Sequence, residues 1–206
     1  MNRGVQLLTY KNYCDESPLD KVILECGAGV FKPEMEPLFV RFARDGYRVY
    51  GIDIGEDRLA NARVYCRSHH IRAGLYQADL HAIPFEDECM PFVYAYNVIF
   101  HGRKQDMRQM MDVMVRVLMP GGLMFVNFLA LEDDGNGEGE QIGVGEYMQT
   151  HGGHTVIHSY LADQEVETYF SGLEMVFMEK RVLRRMKDGE WIQQAFIDMI
   201  LKKPKK

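Results

Sequence analysis

Short apolar runs alternate along the chain with longer amphipathic stretches, and this alternation constrains the fold more than any other feature of the sequence. The predicted strands are Lys21–Cys26, Tyr47–Ile54, Ala73–Ala78, Phe92–Phe100 and Leu123–Leu131. The predicted helices between them are Glu34–Asp45, Asp57–Ser68 and Asp106–Leu118, the last with apolar residues three and four positions apart. Strands that alternate with helices form a parallel sheet covered on both faces.

The pattern changes after the fifth strand. Asp133–Gly145 is polar and holds five glycines, so we expect a loop there, within a region at 132–160 that is either a lid with glycine hinges or an ordinary surface loop. A short helix is predicted at Asp163–Phe170. Two strand-like runs follow, Leu173–Leu183 and Trp191–Leu201, joined around Lys187-Asp188-Gly189. Because Asp-Gly favours tight hairpins, these strands should be antiparallel neighbours.

Length and charge limit the classes of protein that this chain can represent. A chain of 206 residues with 47% hydrophobic residues is predicted to form one domain, 1–206, with an N-terminal segment at 1–20 and a disordered basic tail at 202–206. The net charge of -6 argues against a nucleic-acid partner, and no stretch is apolar enough to cross a membrane. The four cysteines form no paired motif, which favours a cytoplasmic protein without a metal site.

Glycines and polar side chains cluster at the predicted strand ends. The candidate residues are Glu25, Cys26, Gly27, Ala28, Gly29, Asp53, Asp79 and Asn97. Parallel sheets bind ligands outside the carboxyl ends of their strands. Glycines allow close backbone approach, and carboxylates can accept hydrogen bonds from ribose hydroxyls, an adenine amino group and an ammonium. Together these residues predict a site for a nucleoside joined to an amino acid, although each glycine or acid alone could serve only as a turn or cap.

The chain resembles the class I S-adenosylmethionine-dependent methyltransferases, most closely their small "methyltransferase type 11" members. The motifs that carry this resemblance are LECGAG (24–29), YGIDI (50–54), QADLHAIPF (77–85), NVIFH (97–101) and LMPGGL (118–123). The resemblance implies a Rossmann-like three-layer α/β/α sandwich with a mostly parallel seven-stranded sheet and a C-terminal antiparallel hairpin. It also implies an enzyme that uses S-adenosylmethionine and releases S-adenosylhomocysteine.

The same resemblance assigns expected roles to the strand-end residues. Glu25, Gly27 and Gly29 would line the methionine end of the cofactor. Asp53 and Ile54 would hold the ribose and adenosine, Asp79 and Leu80 would flank the adenine, and Asn97 would lie near the sulfonium. The sequence departs from the family pattern at Phe31, where a third glycine is usual, and at Pro91, where an aspartate is usual.

Three other functions remain open at this stage. A nicotinamide-dependent oxidoreductase would need a third glycine where this chain has Lys32. A methyltransferase acting on DNA adenine would carry an Asn/Asp-Pro-Pro-aromatic motif, whereas this chain has Asn97-Val98-Ile99-Phe100. A non-catalytic module could bind the cofactor without transferring its methyl group.

The acceptor side of the site is less defined by the sequence. We expect a small-molecule acceptor, in-line displacement at the methyl carbon, and a monomer or homodimer. No catalytic residue is assigned; the candidate general bases are His101, Tyr147, His154 and His158. Tyr10, Tyr13 and His101 are the expected acceptor contacts, the two tyrosines as part of a small N-terminal lid. A metal site at His151, His154 and His158 is disfavoured because no second-shell acid accompanies them.

Overall fold

A computed structural model describes residues 6–151, 153–187 and 189–205. Residues 1–5 of the N-terminal segment, Asp188 of the predicted hairpin turn and Lys206 of the basic tail lie outside the described residues. The helices are α1 (Gln6–Glu16), α2 (Val40–Arg44), α3 (Glu56–Ser68), α4 (Lys104–Val117) and α5 (Asp163–Val166). Two 3₁₀ turns cover Leu80–Ala82 and Glu167–Tyr169.

The described residues also form ten strands. They are β1 (Val22–Cys26), β2 (Arg48–Asp53), β3 (Gly74–Gln77), β4 (Met90–Ala95), β5 (Leu118–Ala130), β6 (Glu140–Gly143), β7 (Glu146–His151), β8 (His154–Leu161), β9 (Glu174–Lys187) and β10 (Glu190–Lys202). Seven of them form the predicted sheet in the order β3-β2-β1-β4-β5-β10-β9. The first five strands are parallel, and β10 is antiparallel to both β5 and β9. The predicted fold class and hairpin are therefore confirmed.

Helices cover both faces of this sheet and divide the core into two clusters. The methionine-rich side of α4 packs on one face, where Met107, Met111 and Met114 are almost fully buried. The regular spacing of these methionines explains why this helix could be predicted. On the other face α1, α2 and α3 bury an aromatic cluster that includes Phe42 and Tyr94. No helix among the described residues has the length and apolar character needed to span a membrane.

The helix after β1 begins later than the sequence predicts. The expected helix at Glu34–Asp45 is only α2, because residues 31–39 form bends and turns. Two prolines, Pro33 and Pro37, lack the backbone N–H that a continuing helix would use. The fourth strand is also shorter than predicted: it ends at Ala95, before the left-handed backbone of Asn97 (φ +56°).

The 132–160 region is not the long loop that the glycines predict. Strands β6, β7 and β8 form an antiparallel meander, and β8 joins the main sheet through a short parallel pairing of Tyr160 and Leu161 with Leu129 and Ala130 of β5. Strand β4 pairs with β5 only as far as Ala95 and Val126, so the same edge of β5 beyond Val126 is available to β8. The meander therefore extends the sheet above the carboxyl end of β4.

The basic C-terminus is ordered through at least Lys203, which corrects the expected disorder at 202–206. Lys202 ends β10, and the backbone N–H of Lys203 donates to the Gly122 carbonyl. The Lys203 ammonium donates to the carbonyl oxygens of Val115 (2.9 Å) and Leu118 (2.7 Å). Lysine near a helix end can satisfy the last carbonyls in this way, so the residue closes α4.

Candidate functional site

The glycine loop after β1 connects three strand ends. The backbone N–H groups of Gly27 and Ala28 both donate to the Ile52 carbonyl of β2, at 2.8 and 2.9 Å. Gly27 has φ +86°, and a Cβ at this position would lie 2.4 Å from Cγ2 of Val98, just after β4. Both the backbone conformation and the close approach require glycine. The ends of β1, β2 and β4 therefore meet at one point.

Asp53 links this loop to the end of β2. One carboxylate oxygen accepts from the Gly29 N–H (3.0 Å), and the other accepts from the Gly55 N–H (2.8 Å). The guanidinium of Arg58, on the first turn of α3, lies 3.2 Å from the second oxygen. A carboxylate has about four acceptor positions, so these three partners leave capacity for one more donor. The side chain is 7% exposed and lies at the carboxyl edge of the sheet.

Glu25 lies below the loop rather than at its surface. It is 3% exposed, and its carboxyl accepts a 2.6 Å hydrogen bond from the Tyr94 hydroxyl. Burial raises the pKa of Glu25 to about 8, although the bonds from Tyr94 and the Phe39 backbone oppose that rise. Because this carboxyl is enclosed in the core, it does not reach the surface of the loop, where the methionine end of the cofactor is expected.

The outer part of the same edge offers an apolar surface and a second acid. Ile54 is 62% exposed directly after Asp53. Asp79, one strand further along the edge, caps the 3₁₀ turn and accepts from the His81 backbone N–H and ring at 2.9 and 2.7 Å. These bonds lower the pKa of Asp79, so its carboxylate stays charged. The side chain is half-exposed. Leu80 beside it is partly buried against the core.

Asn97 is held at the end of β4 by a buried asparagine. Its backbone N–H donates to Oδ1 of Asn127 (2.7 Å), and Nδ2 of Asn127 donates back to its Oδ1 (2.6 Å). Asn127 belongs to β5 and is fully buried, whereas Asn97 is exposed. A left-handed non-glycine backbone costs about 1–2 kcal/mol, and this reciprocal pair offsets that cost. The amide therefore has a fixed position at the centre of the edge.

These placements suit a nucleoside joined to an amino acid. Acceptor groups, an exposed apolar side chain and a glycine loop lie along one edge of adjacent strands, where open parallel sheets bind ligands. Cys26 and Ala28 differ from their neighbours: both side chains are buried, so only their backbone could contact a ligand. The charged Asp53 and Asp79 and the apolar Ile54 match the needs of ribose hydroxyls, an adenine amino group and a purine ring.

Tyr10 and Tyr13 do not contact this edge, which corrects their expected role in a lid. Tyr10 is fully buried and its hydroxyl lies 2.9 and 2.8 Å from the carbonyls of Val93 and Leu123. Tyr13 packs against the same aromatic cluster. Helix α1 runs from the carboxyl edge toward the amino edge, so Tyr13 lies further from the site than Tyr10 does. Burial of the apolar side of α1 accounts for both positions.

His101 and His158 lie side by side, and Tyr147 is the cross-strand partner of His158, whereas His154 lies further away along β8. The ring centroids of His101 and His158 are 4.8 Å apart, and both rings contact Phe100. The His101 side chain reaches solvent, yet protein atoms surround most of its ring. Burial, followed by the nearby charge of Arg58, lowers the pKa of His101 to about 4, against a hydrogen bond to the Asn97 carbonyl. This histidine is therefore neutral near pH 7.

Tyr147 on β7 pairs with His158 on β8, whereas His154 pairs at the far end of these two strands. Tyr147 is partly buried and its ring lies 6.0 Å from that of Tyr160. His154 is exposed at the start of β8, seven residues before its end. The side chain of His151 lies outside the described residues.

Sequence reasoning missed three residues that organise the site. Asn127 is the one polar residue within the apolar run LMFVNFLA, a signal that could have identified it. Arg58 and Gln149 carried no comparable signal, because their importance depends on contacts with residues distant in sequence.

Residues 23–122 match a protein-family model described as a methyltransferase domain. This region runs from β1 to the start of β5 and contains every strand end discussed above. No curated protein matches the sequence.

Solved structures show the same fold over almost the whole chain. A protein from Methanosarcina mazei described as a SAM-dependent methyltransferase is 18% identical, with a TM-score of 0.77 over 96% of this chain and 99% of that chain. A methyltransferase from Clostridium acetobutylicum described in the same way is 10% identical, with a TM-score of 0.73 over 97% and 90%. A [4+2]-cyclase is 14% identical, with a TM-score of 0.67 over 97% and 81%. At these identities the likeness establishes the fold.

Proposed function

We propose that this chain uses S-adenosylmethionine to methylate a small-molecule acceptor, and the match of residues 23–122 to a methyltransferase domain supports this proposal. The observation that carries this proposal is the convergence of the β1, β2 and β4 ends, where Gly27 touches Val98 and Gly29 bonds to Asp53. A ligand at this point contacts all three strands at once.

In this proposal the chain binds the cofactor through the outer edge. Asp53 accepts from the ribose hydroxyls through its remaining capacity, Ile54 packs against the purine, and Asp79 accepts from the adenine amino group. Arg58 neutralises Asp53 until the cofactor arrives, and its side chain is long enough to move aside. The cofactor supplies a methyl group on a positively charged sulfur.

The acceptor occupies the space beyond Asn97 in this proposal. His101 forms one wall, and the β6–β8 meander forms another because the Ser159 N–H donates to the Phe100 carbonyl at 3.1 Å. The Ser159 hydroxyl also donates to the Gly102 carbonyl at 2.7 Å. These bonds fix the meander beside the end of β4. The net charge of -6 disfavours a polyanionic acceptor.

Alignment is the main contribution expected from the protein. Holding the acceptor in line with the methyl carbon and sulfur can contribute roughly 7–11 kcal/mol to lowering the barrier. The fixed Asn97 and the neutral His101 suit this purpose because neither carries a charge that competes with the sulfonium. We further propose a cytoplasmic enzyme, supported by four cysteines that are all unpaired.

The alternative is a module that binds the cofactor but transfers no methyl group. The resemblance of this fold to a [4+2]-cyclase favours keeping that alternative, since the fold alone does not decide the reaction. A methyl-transfer screen over a metabolite panel, measured as S-adenosylhomocysteine release, separates the two. We expect release with at least one acceptor, whereas tight cofactor binding without release would favour the module.

Calorimetry provides the control for this screen. S-adenosylmethionine should bind and NAD should not, because the third position of a dinucleotide glycine motif is Lys32. Binding of NAD with comparable affinity would contradict the proposal before any acceptor is tested.

A further inference from the structure

A buried glutamine, Gln149, forms a hydrogen bond with the ring of His158 in the meander. Gln149 is 3% exposed, and one end of its amide lies 2.6 Å from the Gly135 carbonyl and 3.2 Å from the Glu138 carbonyl. Carbonyl oxygens only accept hydrogen bonds, so the amide group facing them must be the NH₂. The other end is therefore the oxygen, and it lies 2.6 Å from Nδ1 of His158.

This oxygen fixes the tautomer of the imidazole. Because an amide oxygen cannot donate, Nδ1 of His158 must carry the proton in that hydrogen bond. In the neutral ring the lone pair is then on Nε2, which is the nitrogen able to take up a proton. The same glutamine NH₂ lies 3.1 Å from the Tyr160 hydroxyl, so the surrounding strands hold it in one orientation.

The His158 ring lies beside His101, next to the end of β4. Its ring centroid lies 4.8 Å from that of His101, which bonds to the Asn97 carbonyl at the end of β4. Phe100 packs against both histidine rings, and Phe196 packs against Phe100. The two histidines thus lie side by side, and each has a ring nitrogen bonded to a fixed acceptor.

We propose that His158 is the general base for an acceptor whose oxygen or nitrogen carries a proton, and that Gln149 is the residue that positions it. This inference rests on the proposed function. Nε2 takes the acceptor proton as the oxygen or nitrogen bonds to the methyl carbon. The carbon–sulfur bond breaks, its electron pair stays on sulfur, and the imidazolium then releases its proton to water.

Histidine NMR tests the positioning without any acceptor. In ¹⁵N-labelled protein the signals of His158 are identified by their loss in His158→Asn. We expect the neutral wild-type ring to carry its proton on Nδ1, and we expect Gln149→Met to give a mixture of tautomers while far-UV circular dichroism stays unchanged. A neutral wild-type ring with its proton on Nε2 would overturn the proposal. If Gln149→Met does not fold, the wild-type tautomer still decides the matter.

Paired acceptors test the base. Phenol keeps its proton near pH 8, whereas thiophenol is already a thiolate, so only phenol needs a base. His158→Asn can still donate to Gln149 but lacks Nε2. We expect it to lower S-adenosylhomocysteine release with phenol by roughly 10²–10⁴-fold, while release with thiophenol changes less than about threefold. The matched control, His70→Asn, replaces an exposed histidine after α3 and should change neither rate.

The outcomes separate the two proposals. Equal losses with phenol and thiophenol, or wild-type release with thiophenol only, would overturn the role of His158 and leave methyl transfer intact. Release with neither compound and with no member of the metabolite panel would overturn the proposed function itself.

Discussion

Gly27→Ala should destabilise the protein through two separable effects. The new side chain would have to adopt φ +86°, which costs an L-residue about 1–2 kcal/mol. Its Cβ would also lie 2.4 Å from Cγ2 of Val98, and forcing a methyl group into such a contact costs about 1–3 kcal/mol. We therefore expect the free energy of unfolding to fall by about 2–5 kcal/mol in total.

Two further variants separate these effects. Gly46 has φ +84°, and no atom lies within 4 Å of the point that a Cβ would occupy, so Gly46→Ala should show the backbone cost alone. Val98→Ala removes the methyl group that Gly27→Ala would strike. In the double variant the clash disappears while the backbone strain remains, so the combined loss should be about 1–3 kcal/mol smaller than the sum of the single losses.

Urea unfolding of the four variants and the wild type measures these differences. The comparison requires equal m-values, so that changes in midpoint report stability. If the effects of Gly27→Ala and Val98→Ala add to within about 0.5 kcal/mol, the contact between the β1 and β4 ends is absent. If Gly27→Ala lowers the free energy of unfolding by no more than Gly46→Ala does, the contact between the β1 and β4 ends is likewise absent.

Three further predictions concern binding, pH and the C-terminus. Asp53→Asn removes the charge from the proposed acceptor of the ribose hydroxyls; a hydrogen bond to a charged group contributes about 1.5–3 kcal/mol, so S-adenosylhomocysteine affinity in calorimetry should fall at least tenfold, and unchanged affinity would contradict the ribose assignment. Glu25 has a pKa raised to about 8 when folded and about 4.3 when unfolded, so the native state binds the extra proton between these values. The free energy of unfolding of wild type should therefore fall relative to that of Glu25→Gln as pH rises from about 4.3 to 8, by up to about 1.4 kcal/mol per pH unit. A difference between the two proteins that is independent of pH would refute the raised pKa. Lys203→Ala should lower the free energy of unfolding by at least about 1.5 kcal/mol, since it removes two bonds from a charged donor, each of which contributes about 1.5–3 kcal/mol, whereas Lys205→Ala should change it by less than about 0.5 kcal/mol; equal effects would indicate that the Lys203 bonds contribute nothing.

The sheet and the candidate site at its carboxyl edge could be predicted because their signals are local. Each of the first three parallel strands is a short apolar run followed directly by a glycine or an acid, and α4 has a regular stripe of methionines. These patterns require no knowledge of distant contacts. Asp53 and Gly29 are identifiable from such signals, although the hydrogen bond that joins them is not.

The parts that could not be predicted depend on contacts across the fold. Tyr10 resembles a surface aromatic in sequence, and only the packing of α1 buries its hydroxyl between the carbonyls of β4 and β5. The meander has no clear strand pattern because glycines dominate its composition, while its pairing with β5 depends on where β4 ends. Gln149 acts through an amide orientation that no sequence pattern records.

The position of β10 has a consequence for how the molecule is made. Strand β10 lies between β5 and β9, although both of these strands precede it in the sequence, so the sheet has a gap in its interior until β10 has been synthesised. Until then β9 lacks its partner strand and the apolar edge of β5 stays open. Nascent chains stalled before Glu190 should therefore depend on chaperones to avoid aggregation.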